Sequence, residues 1–244
     1  LMHRGRLMYE GLCKEWEKGS QATIYTVFIP RDLIEEYSKD VTDCETTETT
    51  KEEQPIEVKK LEKDFTVTTD DIVFGDPDSK VVVIEYFSPT CPHCYGYVKN
   101  TYPEIKKKYI ETKKIAYVFR EFIGNKQDLD ASILARCSGD RDKYEKFIEV
   151  LLSQQETWAF NRKFQELLTK IGSIGGVSPE EYAKCLHDQN LTQVLIENTK
   201  LPLKIPGFIG TPSFFINGEH FTQPYTTEEL SKAIDEAITK YGSK

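Results

Sequence analysis

Between the turn-forming residues Asp76-Pro77-Asp78-Ser79 and Ser88-Pro89-Thr90 lies Val81-Val82-Val83-Ile84-Glu85-Tyr86-Phe87, β-branched or aromatic except for one glutamate. Such a run reads as a strand buried on both faces, the kind a sheet interior requires. A helical stretch over residues 94–110 follows, in which Pro103 should produce a kink. Residues Ile115 to Phe122 then form a second buried run. Strand, helix and strand in that order call for a right-handed crossover between parallel strands. The chain is therefore of the α/β class.

The rest of the sequence falls around this unit. From Gln127 to about Leu201 there is no convincing strand, only helical runs with breaks at Ser138-Gly139, Gly172 to Gly176 and Asn190. Ser178-Pro179-Glu180-Glu181 opens one of them with an N-cap, a first-turn proline and acids at the positive end of the dipole. Strand character returns at Ser213-Phe214-Phe215-Ile216, with an Asn217-Gly218 turn leading into Glu219 to Thr222, a strong hairpin signal. A last amphipathic helix starts at Thr226, with Leu230, Ala233, Ile234, Ala237 and Ile238 as its buried stripe. Residues 1–65 differ in texture, and Asp40 to Asp64 is rich in Thr, Glu, Lys and Asp, which reads as a linker. A short helix over residues 31–39 would be unstable alone. The expected division is 1–65 as an extension, 66–126 with 202–244 as one domain, and 127–201 as an inserted helical domain.

Composition removes some functions. The chain has 244 residues, with 40 acidic against 32 basic and a net charge of −8, which repels a phosphate backbone and argues against nucleic acid. No apolar run is long enough to cross a bilayer. The first 65 residues hold no secretory apolar region, so the sequence shows no export signal, which does not settle compartment.

Six cysteines are present. Cys91-Pro92-His93-Cys94 sits where the first strand ends and the helix begins, so backbone N–H groups and the helix dipole should make the Cys91 thiolate cheap to form. Pro92 suits the first helical turn, and His93 adds a donor and, when protonated, a positive charge. Cys94, one turn further in, is the expected buried resolving thiol. Glu85 interrupts an apolar run where a charge is expensive, which suggests proton transfer rather than an idle carboxylate. Cys137 and Cys185 lie at comparable distances from their helix starts in the helical region. That favours a structural disulfide over two free thiols, and such a bridge would restrict the unfolded chain by roughly 4 kcal/mol. Cys13 and Cys44 carry no preference. Without a second C-x-x-C, a zinc ribbon is not expected, nor is any other metal site or organic cofactor. Tyr95 and Tyr97 read as helix-surface or groove residues, Trp158 and Phe160 as packing in the helical region, and His187 and His220 as surface residues. Lys106-Lys107-Lys108 reads as a solvated face.

Glu85-Tyr86-Phe87-Ser88-Pro89-Thr90-Cys91-Pro92-His93-Cys94-Tyr95 resembles the active-site strand and helix of DsbA-like thiol:disulfide oxidoreductases of the thioredoxin superfamily. The resemblance extends over about residues 66–241, including Gly210-Thr211-Pro212, which is similar to that family's cis-proline loop. It implies a thioredoxin fold with an inserted helical domain. It further implies that Cys91 attacks, Cys94 resolves, His93 tunes, Glu85 accepts a proton, and Pro92, Thr211 and Pro212 meet substrate. A subgroup with a second, non-catalytic disulfide is similar in the placing of Cys137 and Cys185. The family works outside the cytoplasm on unfolded or partly folded exported proteins and is reoxidised by a quinone-linked membrane oxidase of the DsbB kind. Periplasmic oxidation of exported proteins is the expected function. Thr211 before the proline, together with the long N-terminal extension, is similar to oligomeric disulfide isomerases and makes a homo-oligomeric isomerase the rival. A Cu(I)-binding protein using the same two cysteines is the rival from another class.

Overall fold

The computed structural model describes residues 65–242. The expected linker, the short helix at 31–39, Cys13 and Cys44 lie outside the described residues. In chain order come β1 (Val73–Gly75), β2 (Val82–Phe87), α1 (Pro92–Asn100) and α2 (Tyr102–Ile105), the last running on as a π-helical turn over Lys106–Ile110. Next are β3 (Ala116–Glu121), α3 (Lys126–Cys137), α4 (Arg141–Ser153), α5 (Gln155–Trp158), α6 (Phe164–Ile174), α7 (Pro179–Leu186) and α8 (Gln189–Lys200). A 3-10 turn at Pro202–Lys204 leads to β4 (Ser213–Ile216), β5 (Glu219–Phe221) and α9 (Thr227–Tyr241).

The strands form one sheet in the order β1-β3-β2-β4-β5. β2 and β3 are parallel, with Glu85 opposite Phe119, and are joined across α1 and α2. β1 and β4 run antiparallel at either side, and β5 closes the Asn217-Gly218 hairpin. Both turn residues have positive φ, 48° and 88°, the geometry that Asn-Gly tolerates best. The Asn217 side chain also accepts from the Val82 backbone N–H at 2.7 Å, tying the hairpin to the start of β2. The chain thus has a thioredoxin fold with a helical insertion between β3 and β4.

Alternation along β2 and β3 separates two cores. Val83, Phe87, Tyr117 and Phe119 face α1 and the inserted helices in one continuous cluster with Ile133, Tyr144 and Leu151. Ile84, Tyr86, Val118 and Phe215 face the other way and pack with Phe65. Phe65 stacks on Phe215 at 3.9 Å between ring centroids, so it belongs with the sheet rather than with the segment before it. Cys137 and Cys185 are bonded, linking the C-terminal end of α3 to α7.

Local details differ from expectation where tertiary contacts or backbone chemistry prevail. The expected kinked helix over 94–110 begins earlier, at Pro92, and is two helices. Thr101 joins them with a stretched but still right-handed helical backbone (φ −113°, ψ −46°), and Pro103 falls in the first turn of α2, where its missing N–H costs little. Gly172 does not break α6 but lies inside it, because a Cβ there would come within 2.9 Å of the Leu134 side chain. Asn190 is likewise inside α8, whose N-cap is Asp188. β1 was not foreseen at all. Phe160 is 75% exposed, whereas Trp158 is buried with its indole N–H donating to the Leu151 carbonyl at 2.9 Å. His220 is half-buried, stacked on Phe215 and 3.1 Å from the Ser213 hydroxyl. Lys107 and Lys108 are exposed, in keeping with a solvated face, while Lys106 is half-buried and pairs with Glu145, and Lys108 pairs with Asp235 at the surface.

Candidate active site

Cys91 is the N-cap of α1. Its backbone is extended (φ −83°, ψ 117°) and its sulfur accepts from the Cys94 backbone N–H at 3.4 Å. An anion at this position meets the unsatisfied donors and positive dipole of the helix end. The thiol is held down to about 6, from an ordinary 9.0. The largest cause is hydrogen bonding from the Cys94 thiol. Burial opposes it, while the Thr211 side chain and the backbone N–H groups of Cys94 and His93 add to it. The Thr211 carbonyl, 3.1 Å from the sulfur, accepts from the neutral thiol and so works against ionisation, but the donors outweigh it. Cys94 is the opposite case. It is fully buried, and burial first, then its bond to Cys91 and the Cys91 charge, push its pKa well up. At neutral pH one sulfur is an accessible anion and the other a sealed thiol.

Glu85 lies beneath the site on the same sheet face as Val83 and Phe87, with no exposed surface. Among the described residues no cation pairs with it. The Tyr117 hydroxyl donates to Oε2 at 2.5 Å, and Oε1 has no partner among those residues. Burial pushes this carboxyl up to about 8; Tyr117 opposes the rise and the Cys91 charge adds to it. An acid that titrates near neutrality beside a reactive thiolate can give or take a proton in exchange chemistry.

The loop before Cys91 is fixed by the inserted helices. Asp128, in the first turn of α3, accepts from the Ser88 hydroxyl at 2.7 Å, the Thr90 N–H at 2.9 Å and the Gly124 N–H at 3.1 Å. Asn125 donates to the Thr90 hydroxyl at 3.1 Å. Gln155 donates to the carbonyls of Cys91 and Pro89 at 3.2 and 3.4 Å. The helical insertion therefore holds the backbone that holds the thiolate.

The structure brings Cys91, Cys94, Glu85, Thr211 and the backbone of His93 together, and the Thr211–Pro212 bond is cis. Pro92 and the His93 ring are exposed beside Cys91. Tyr97, expected at the surface or in a groove, is instead buried one turn beyond Cys94 on the inner face of α1. Cys94, Tyr97 and Val98 have the i, i+3, i+4 spacing of a buried stripe, a signal present in the sequence. Asp128, Asn125 and Gln155 were not foreseen, and no local pattern points to them.

Residues 67–236 match a family model described as Thioredoxin. The chain belongs to the thioredoxin family. Among its relatives is a Rickettsia bellii protein named "Putative protein-disulfide oxidoreductase", 54% identical over 192 residues that cover 79% of this chain and 74% of that one. The thiol:disulfide interchange protein DsbA of Salmonella typhimurium is 26% identical over 69% of this chain and 79% of its own length. The crystal structure of Wolbachia pipientis alpha-DsbA1 superimposes with a TM-score of 0.67 at 26% identity, covering 74% of this chain and 98% of that one. Within the thioredoxin family the chain is thus a DsbA-like thiol:disulfide oxidoreductase.

Proposed function

We propose that the chain introduces disulfides into exported proteins through Cys91-Pro92-His93-Cys94. The observation that carries this reading is the unequal pair of thiols, a Cys91 held down to about 6 beside a Cys94 pushed well up. In the oxidised enzyme a substrate thiolate attacks Cys91, the Cys91–Cys94 bond breaks, and the electron pair leaves on the Cys94 sulfur. That buried sulfur takes a proton, and we assign its supply to Glu85, a carboxyl pushed up to about 8 beside Cys91. A second substrate thiolate then attacks the substrate sulfur of the mixed disulfide. Cys91 departs as a stable thiolate, and the substrate leaves with its disulfide formed. A low thiol pKa makes Cys91 a good leaving group at this step.

Other assignments follow from the same reading. Thr211 and Pro212 pair with extended substrate backbone, while Pro92 and the exposed His93 ring border the path by which substrate arrives. Residues 127–201 form an inserted domain whose task at the site is to hold the loop 88–91. The cellular setting is the periplasm, and reoxidation falls to a quinone-linked membrane oxidase of the DsbB kind. The Cys137–Cys185 bond stands apart from the exchange as a structural bridge. Family membership and the DsbA likeness of the relatives support these points.

A Cys94→Ser variant tests the reading, because it removes the resolving thiol and leaves Cys91 reactive. Incubated with a reduced, unfolded polypeptide and a mild oxidant, it should accumulate a mixed disulfide at Cys91 that reductant releases. No adduct, with tight stoichiometric Cu(I) binding by the unaltered chain, would instead favour the metal carrier. Efficient unscrambling of a misoxidised protein by a multimer would favour the isomerase.

A further inference from the structure

We propose that Tyr117 and Tyr97 are positioning residues that hold the Glu85 carboxylate through a relayed pair of hydrogen bonds and so set how readily Glu85 gives up its proton, a proposal that rests on Glu85 serving as the proton partner of Cys94. The two hydroxyls lie 3.0 Å apart, both fully buried, and Tyr117 also reaches Glu85 Oε2 at 2.5 Å. A phenol has one hydrogen to give. Tyr117 donates its own to Oε2, so it must accept from Tyr97, and the chain reads Tyr97 O–H to Tyr117 O–H to Oε2. That polarity is forced once Glu85 is a carboxylate, which has no hydrogen of its own to give.

When the Cys91–Cys94 bond breaks and Cys94 leaves as an anion, the Glu85 O–H bond breaks, an S–H bond forms, and the negative charge moves to the carboxylate. There Tyr117 holds it with a charge-assisted hydrogen bond, and Tyr97 polarises Tyr117 further. Solvent returns the proton afterwards. Among the described residues the groups facing the acid are Cys91 and Tyr97 from α1 and its cap, Tyr117 from β3 and Tyr102 from α2. Behind Tyr102 stands Glu145, paired with Lys106. β4 presents Phe214 opposite Glu85 and nothing that titrates.

Infrared spectroscopy of the reduced full chain provides the test. The protonated carboxyl C=O band of Glu85, assigned by its loss in Glu85→Gln, is followed between about pH 5 and 10. In Tyr117→Phe the band should move to higher frequency, because the carboxyl has lost its hydrogen-bond partner. Its titration midpoint should rise by about one pH unit, a tenfold gain in proton affinity. Tyr97→Phe, which deletes only the far oxygen and serves if Tyr117→Phe does not fold, should shift both readouts the same way by less. A band and midpoint that stay in place, or a midpoint that falls, would overturn the proposal. Disulfide exchange by the unaltered chain with a reduced dithiol peptide is measured alongside. Its absence defeats the oxidoreductase site, whereas exchange with an unmoved Glu85 midpoint defeats only the tyrosine chain.

Discussion

Two glutamates on neighbouring parallel strands, Glu85 on β2 and Glu121 on β3, are both without exposed surface, yet they are handled in opposite ways. Glu121 is fully provided for. Arg136 from α3 grips both its oxygens at 2.7 and 2.8 Å, and the Tyr144 hydroxyl adds a third bond at 2.7 Å. Glu85 has one tyrosine, no cation and an oxygen with no partner. The first arrangement locks the helical insertion to the sheet. The second leaves a carboxyl that prefers to stay protonated and can still let go of its proton. In this fold a satisfied buried charge marks architecture and an unsatisfied one marks chemistry.

Breaking the satisfied pair should have the largest effect. Arg136→Met would leave the Glu121 charge buried without its cation, and denaturant unfolding should show a loss of about 3–5 kcal/mol. A loss below about 1 kcal/mol would mean the pair behaves like a surface contact and the contrast is empty.

Removing Glu85 should act with the opposite sign. Its folded pKa, about 8, lies above the ordinary 4.5, so the folded state keeps a proton the unfolded chain has given up. Stability is therefore lost as pH rises from about 4.5 towards 8, and at neutral pH the cost is on the order of 3 kcal/mol. Glu85→Leu should recover about 2 kcal/mol of this at pH 7 and flatten the pH dependence in that window, while slowing exchange about 100-fold or more. A destabilised variant with full activity would reverse the roles assigned to the two acids.

Asp128 falls between them, since its three partners are all donors and no cation pairs with it. Burial pushes its pKa up, and the Ser88 and Thr90 donors oppose the rise. Asp128→Asn must turn an N–H₂ towards a donor, so we expect a loss of about 1–2 kcal/mol. The Cys91 midpoint should also rise as the loop 88–91 relaxes, and ultraviolet titration of the thiolate reads this second effect.

Much of this was legible in the chain. The β-branched runs at 81–87 and 115–122 pointed to the parallel pair, and Asn217-Gly218 to the hairpin, because a buried strand and a tight turn are each written in a few consecutive residues. Glu85 stood out because a lone acid in an apolar strand has few places to go. β1 escaped notice because three residues between turns carry too little pattern, and only pairing with β3 makes them a strand. Arg136, Asp128 and Gln155 act at distances of 15, 38 and 64 residues along the chain, where no periodicity operates. Tyr97 was different: its spacing from Cys94 announced a buried face, but a hydroxyl on the ring pointed the other way until Tyr117 was seen to satisfy it.

The most direct test of the account is the ultraviolet thiolate titration of the reduced chain with Cys94 intact, read against a Cys91→Ala control. The account predicts that the part of the signal lost in Cys91→Ala ionises with a midpoint near 6, and that Cys91 reacts with a small alkylating agent at the same rate above that pH. A midpoint near 8.5, the value of an unperturbed cysteine, would contradict it.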